Sequence, residues 1–484
     1  MDDGCDDAGS AIESGPPRLR DRCASLFWWT AGIENGHAGS SARERIVVMG
    51  YGFLFIFLAF NTTQMILSTV LKDYTGAVTH ATYDLGDVSL MLIYVCACLS
   101  LPVVGRVIRY CGAGTTMVVG GLCYGVFIIS LVSLWEPTVV LASCVAGFGQ
   151  AALWVAQGVV LTESSDAATR GKDAGIFWGL YSAGSVIGPA LGYFVYRSID
   201  ARGFFFFAAV CTLLGTHILR RVHRPRPPEV HQKRPFEGAK EHEALLGGDR
   251  DVALPRQRWT REKASILARL APLIYFIGSS DSFVNAVFPV IFAPEADQEA
   301  AVFLVFVGWG VACTAGALLL SKLSDTLGRK QLLVAGSAAY VAALAACWQL
   351  LKAPGARVEP LLGGVSWLAF AAGALFGLND TLNNVGCMAL LGDHFPDAPL
   401  SVDAFAIYQR QSRVALLQSL GMASGFAFPL FVPVRWRTHL ILFGLQLGLL
   451  VAAMAGVIAM PSCKGEPPRA RSVCSPRESF RPGV

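Results

Sequence analysis

The chain has 484 residues, of which 54% are hydrophobic and 15% charged, against roughly 25% charged in soluble domains. That balance argues against a soluble enzyme or a nucleic-acid binder and for a protein embedded in a lipid bilayer. The 39 Lys and Arg against 35 Asp and Glu give a net charge of +4, too small to name a partner, so the placement of the basic residues carries more information than their sum.

The opening "MDDGCDD" is acidic and lacks an apolar core, so no cleaved signal peptide is expected. Residues 1–45 are expected to be a disordered cytosolic segment. A bilayer crossing needs about 20 apolar residues, and about twelve such stretches follow: 46–71, 87–108, 114–135, 138–163, 174–196, 203–221, 267–292, 300–322, 331–351, 362–391, 402–432 and 436–460. The connections are short except for 222–264, which is charged, proline-rich and without a sustained apolar face. It reads as a solvated linker between two six-helix bundles, 46–221 and 265–460, with a disordered tail at 461–484. The expected fold class is therefore an all-α membrane protein of twelve transmembrane helices in two halves.

Lysine and arginine orient the chain. Arg43, Arg45, Arg106, Arg109, Arg170, Lys172, the basic linker, Lys322, Arg329 and Lys330 fall on one side. Lys72, Arg197, Arg202, Lys352, Arg357, Arg435 and Arg437 fall on the other. The excess places both termini and the linker in the cytosol. The 13 cysteines lie within apolar runs or in segments assigned to the cytosol, and no pair has zinc-ligand spacing. They read as small buried hydrophobes and free thiols.

Two halves joined by a cytosolic linker imply a parallel repeat, and the sequence carries its trace. After the eighth span stands "SKLSDTLGRK" (321–330); at the equivalent place in the first half stands "GRVIRYCG" (105–112). The first of these resembles the major facilitator loop signature G-x-L-[AS]-D-x-x-G-R-K, with Ser321 for its first glycine. The second keeps the glycine spacing but has Arg109 where Asp325 stands. Gly328 permits a tight turn. Asp325 can accept bonds from a helix N-terminus, and Arg329 and Lys330 can sit at a helix C-terminus. Such a group is either a gate that clasps the two halves in one state or a static charged turn.

Several segments together resemble the Unc-ninety-three-like branch of the major facilitator superfamily, which includes ion-channel regulatory proteins and orphan transporters. They are "GFLFIFLAFNTTQMILSTVL" (52–71), "LPVVGRVIRYCGAGTTMVVGGLCY" (101–124), "ALWVAQGVVLTESSDAATRGKDAGIFWGL" (152–180) and "GLNDTLNNVGCMALLGDHFPDAPLSVDAFAIYQ" (377–409). The resemblance covers most of 46–430. Arg410 and Arg413 depart from it, standing where apolar or aromatic residues are expected. The fifth-span run "GSVIGPALG" (184–192) is similar to an antiporter signature, although glycines and Pro189 also make a packing and kink motif.

The resemblance implies that the first, fourth, seventh and tenth helices line a central cavity, and these carry conspicuous polar residues: Asn61 and Gln64, Gln157, Asp281 and Asn285, and Asp380 and Asn384. Polar groups in hydrocarbon are costly unless partnered, so they should face the protein interior or water. The pairs 281/285 and 380/384 are four apart and share a helix face. Gln157 is a cavity group or an interhelical tie. Asp281 has no basic residue at similar depth and is the stronger candidate for a titrating or solute-facing group. Asp380 lies about as deep from its span end as Arg413 lies into the next, roughly 16 Å, so an Asp380–Arg413 ion pair is expected.

The sequons at Asn61 and Asn379 are within spans and should not be glycosylated. "EHEALL" (241–246) has the form of an acidic dileucine sorting signal. No phosphate loop, nucleophile triad, metal cluster or nucleic-acid module is found, so no cofactor, metal or nucleic-acid partner is expected. Two functions remain. One is a secondary transporter of a small neutral or cationic solute, with or without a coupled proton. The other is a non-transporting regulator or trafficking partner of an ion channel or receptor. The expected location is the plasma membrane or an endosomal or lysosomal membrane.

Overall fold

The computed structural model describes residues 42–78, 84–165, 170–222, 261–293, 299–352, 366–394, 404–431 and 436–460. Residues 1–41 of the expected disordered N-terminus, most of the linker with its dileucine sequence, and the tail 461–484 lie outside these residues. Residues 42–45, also expected to be disordered, instead form the first turn of a helix in which Arg45 is buried and donates to Ser164 at 3.0 Å. Among the described residues the chain forms twelve long helical rods. They are α1 (Ala42–Val78), α2 (Leu85–Cys111), α3 (Ala113–Ser133), α4 (Glu136–Glu163), α5 (Arg170–Ser198) and α6 (Ala201–Leu219). After the linker come α7 (Arg261–Ser282), α8 (Glu299–Leu327), α9 (Arg329–Lys352), α10 (Trp367–His394), α11 (Ala404–Phe431) and α12 (Trp436–Ile458).

Each rod matches one expected span, usually with extra turns. The first is the clearest: α1 has 37 residues, about 55 Å, against an expected 46–71. Hydropathy marks only the part that must sit in lipid, whereas backbone hydrogen bonds carry a helix on until a cap ends it. Asp84 starts α2 by accepting the Gly86 N–H at 2.9 Å, and Asp200 starts α6 through Gly203 at 2.8 Å.

The expected seventh span is not one regular helix. After Ser282 the chain widens into a π-helical turn, Phe283–Val287, and then resumes as Phe288–Phe292. The reason is Pro289. It has no N–H for the Asn285 carbonyl one turn back, and its ring crowds that carbonyl. The Phe288 N–H bonds instead to the Phe283 oxygen, and the Asn285 side chain donates to the Asp281 carbonyl at 2.8 Å. π turns of this kind are frequent at functional sites.

The helices pack in a repeating order. α1 lies against α5 and α6, α2 against α4, and α3 against α4 and α6. The second half repeats this: α7 against α11 and α12, α8 against α10, and α9 against α10. The most extensive contacts between the halves form a matched pair, α5 with α8 and α2 with α11, and α4 also touches α11. The backbone carries the same symmetry. Gly112 ends α2 with φ of 83° and Gly328 ends α8 with φ of 87°, both in the region that favours glycine. These are the two glycines that the loop repeat aligns.

Large side chains such as Phe53, Phe127, Phe177, Phe276, Phe283 and Phe288 are buried inside the halves, while Leu99, Leu141, Phe194, Val451 and Ile458 point outward. An apolar outer surface of this kind suits lipid contact. Eight of the described helices are long and apolar enough to cross a membrane: α1, α2, α3, α4, α6, α7, α9 and α12. α5 and α10 are diluted by Gly, Ser and Asn, the residues with which they pack inward. In α8, Ala301–Ala317 is a shorter apolar stretch.

Candidate functional site

The central feature is a contact between acids. Asp281 of α7 and Asp380 of α10 are in hydrogen-bond contact through their carboxyl groups. Asp281, the expected titrating or solute-facing group, and Asp380, the expected ion-pair partner of Arg413, are therefore in contact with each other. Neither is sealed in: both are partly exposed although they stand well inside their spans. Two carboxylates at this separation repel, and a hydrogen bond between them requires a proton. The pair is therefore suited to holding one proton or one cation.

Neighbours fix the pair in place. Asn384 donates its amide to Asp380 Oδ1 at 2.6 Å and to the Asp380 carbonyl at 3.1 Å, along the helix face that the two share. Cys313 of α8 points its thiol at Asp380 Oδ2, 3.8 Å away, and at the Gly377 carbonyl, 3.2 Å away. Thr381 donates to the Cys313 carbonyl at 3.0 Å. The Asp380 carboxylate thus meets Asp281, Asn384 and Cys313. Arg413 is half-buried on α11, and its pairing with Asp380 stands as a proposal.

The first half meets the acids with aromatic hydroxyls. Tyr181 of α5 is hydrogen-bonded to Asn61 of α1 and lies within electrostatic reach of both carboxyls. Tyr94 of α2 donates to Gln64 Oε1 at 3.2 Å and has Asp281 and Tyr181 close by. Its ring stacks on Phe426 of α11, with centroids 5.8 Å apart and planes 6° apart. The candidate residues Asn61, Gln64, Asp281, Asp380 and Asn384 thus come together in one place. Gln157 is buried on α4, one turn beyond Trp154. Asn285 bonds to its own helix and is partly exposed.

Sequence reasoning misses Tyr94, Tyr181 and Cys313. The resemblance draws attention to four helices, and these three residues are on others. A tyrosine or cysteine within a span also reads as a hydrophobe. The available signal is a hydroxyl-bearing ring near mid-span, whose oxygen needs a partner.

The gate residues are only partly described. Arg109 is exposed at the end of α2. Lys330 donates to the Met460 carbonyl at 3.0 Å and the Ile458 carbonyl at 3.5 Å, and Arg269 donates to the Ala459 carbonyl at 2.9 Å. Lys330 therefore sits at a helix C-terminus, that of α12, in keeping with the loop chemistry. Arg329 is half-buried beside it. The side chains of Asp325 and Lys172 lie outside the described residues. In α5, an added Cβ on Gly184 or Gly188 would meet the Leu54 or Leu58 carbonyl of α1, at 3.0 Å and 2.8 Å. That is the geometry of close helix packing.

Comparison with known proteins agrees with the fold. The Major Facilitator Superfamily profile matches residues 49–291. The UNC93-like protein MFSD11 of Xenopus tropicalis is 25% identical over 423 residues, 82% of this chain and 93% of the relative. Protein unc-93 homolog A of Mus musculus is 23% identical over 461 residues, 85% of this chain and 92% of the relative. The UNC93-like protein 3 of Arabidopsis thaliana is 32% identical over a shorter 157 residues, 32% of this chain and 30% of the relative. Among solved structures, a D-xylose-proton symporter superposes with a TM-score of 0.64 at 15% identity, covering 88% of this chain and 99% of that one. Matched helix pairing, paired loop glycines and these relatives agree: the chain belongs to the Major Facilitator Superfamily, on its Unc-93-like branch.

Proposed function

We propose that this transporter-type membrane protein moves a small neutral or cationic solute by alternating access, and that the Asp281–Asp380 pair exchanges a proton during the cycle. The observation that carries the reading is the carboxyl contact between α7 and α10, partly open and faced by Tyr181 and Asn61 of the other half. An acid pair inside a membrane is costly to keep unless it has work to do. The α2–α11 and α5–α8 contacts are the seams along which the halves would rock. In this reading, residues 46–221 and 265–460 are the moving units. Arg109, Asp325, Gly328, Arg329 and Lys330 form the cytosolic gate, and the termini and linker are cytosolic. The protein resides in the plasma membrane or an endosomal or lysosomal membrane.

The test is uptake into liposomes carrying the purified full-length chain, using a panel of labelled solutes with and without a pH gradient. Saturable uptake of one solute class that responds to the gradient is expected. Folded protein that moves nothing across the whole panel would overturn the reading in favour of a non-transporting partner of a channel or receptor.

A further inference from the structure

The wall beside the acid pair is built of aromatic faces. Trp154 of α4 and Trp178 of α5 stack with centroids 5.9 Å apart and planes 24° apart. Tyr181, almost one turn beyond Trp178, meets both nearly edge-on, 5.5 Å from Trp154 and 5.4 Å from Trp178. Behind them Phe53 packs on Trp154 at 5.6 Å and on Phe177 at 5.1 Å, and both phenylalanines are fully buried. Trp154, Trp178 and Tyr181 each keep partial exposure. The arrangement is an aromatic corner of three partly exposed rings backed by buried Phe53, Phe57 and Phe177. Tyr181, one of the three rings of that corner, is hydrogen-bonded to Asn61 and lies within electrostatic reach of the carboxyls of Asp281 and Asp380.

The chemistry of the walls discriminates between solute classes. The face of each ring carries negative partial charge, so it attracts a cation and repels an anion. The acids discriminate in the same sense. A polyol would require several directed donors and acceptors. The polar groups around the acids are largely engaged with one another: Tyr94 with Gln64, Asn61 with Tyr181, and Asn384 with Asp380. A cation with an apolar body asks for what the site supplies, namely a carboxyl for its charge and flat rings for its body.

We propose that the site binds an organic ammonium ion, its nitrogen held between Asp281 and Tyr181 and its apolar part lying against Trp154 and Trp178. The assignment deepens the transport reading, on which it rests for the claim that this ion is cargo. Binding itself can be measured without transport.

The experiment uses the purified full-length protein in detergent and three probes of similar shape. They are benzyltrimethylammonium, its uncharged carbon isostere neopentylbenzene, and the anion phenylacetate, followed by quenching of tryptophan fluorescence and by calorimetry. Saturable binding of the ammonium is expected, with the isostere at least about 10-fold weaker and the anion silent. Trp178→Leu should weaken the ammonium by between about 2-fold and 30-fold, and Trp178→Phe should recover part of the loss. Asp281→Asn should weaken the ammonium and leave the isostere unchanged. Thermal unfolding of each variant identifies any that fails to fold, and the Phe and Asn variants then carry the comparison. Equal binding of ammonium and isostere, or no ammonium binding at millimolar concentration by folded wild type, overturns the proposal. Uptake of some other solute with no ammonium binding sinks this proposal alone. Ammonium binding without uptake of any solute sinks the transport reading alone.

Discussion

Two acidic side chains set the chemistry at the scale of the residue. Asp281 and Asp380 share one contact, so replacing either by Asn removes repulsion while keeping a hydrogen-bonding group of the same shape. Asp281→Asn is expected to fold as well as wild type or better, because a costly charge has gone. Its stimulation of uptake by a pH gradient should fall by roughly 5–150-fold, the usual range of coupling between two linked sites. Proteoliposome uptake at two external pH values, with a melting curve for each protein, measures both effects. A variant whose gradient response matches wild type would show that the proton is carried elsewhere. Asp380→Asn should be the less well tolerated of the two. Asp380 also accepts from Asn384 and Cys313, so its carboxyl organises more of the surrounding structure.

Among the elements, α5 and α8 are held close by a missing side chain. Gly310 of α8 lies against the Ser185 backbone carbonyl of α5, and an added Cβ would collide with that carbonyl. Thr314, one turn on, donates to the Ser182 carbonyl at 3.3 Å across the same seam. Gly310→Ala must push the helices apart, because a backbone atom cannot swing aside as a side chain can. The expected cost is about 1–3 kcal/mol, together with slower oxidative crosslinking of a Ser182→Cys, Thr314→Cys pair. Gly112→Ala is the control. A Cβ there has nothing within 4 Å but must adopt φ of 83°, a local backbone strain of about 1–2 kcal/mol. It should lower the melting temperature without altering the crosslink. Equal crosslinking in all three backgrounds would mean that the seam tolerates the extra methyl.

For the whole molecule, the two halves are joined by α2 with α11 as well as α5 with α8, and in the proposed alternating access these are the seams that would part in turn. The native Cys98 thiol of α2 lies 3.8 Å from the Leu416 carbonyl of α11. Leu416→Cys should therefore crosslink to Cys98 under mild oxidation and arrest uptake, with reduction restoring it. Free uptake by the fully crosslinked protein would rule out rocking along this seam. Labelling in intact cells tests orientation: a cysteine introduced at Ser462 should stay unmodified by an impermeant reagent added outside, and modification there would invert the proposed topology.

Much of this protein is legible in its sequence because a bilayer imposes a one-dimensional rule. Hydrocarbon forces about 20 apolar residues per crossing, and so each of the twelve expected spans has its rod in the structure. The loop repeat is legible for a similar reason: Gly112 and Gly328 are both required by positive φ, a constraint local to a single residue. Of the polar residues within spans, Asn61, Gln64, Asp281, Asp380 and Asn384 lie near one another, and that they line a solute cavity is the proposal. Depth along the membrane is one coordinate, however, and contact also depends on how each helix is rotated and which helix stands beside it. Depth alone offers Arg413 to Asp380, a pairing that stays a proposal, and it gives no hint that packing of α7 against α10 sets Asp281 beside Asp380. The π turn at Phe283–Val287 is beyond periodicity because it arises from one proline acting on one carbonyl. The tyrosines and tryptophans assigned to the proposed site carry no distinguishing pattern along the chain. Their role comes from their placement on α2, α4 and α5 around the acids, and only the tertiary structure decides that, through close packing of side chains far apart in sequence.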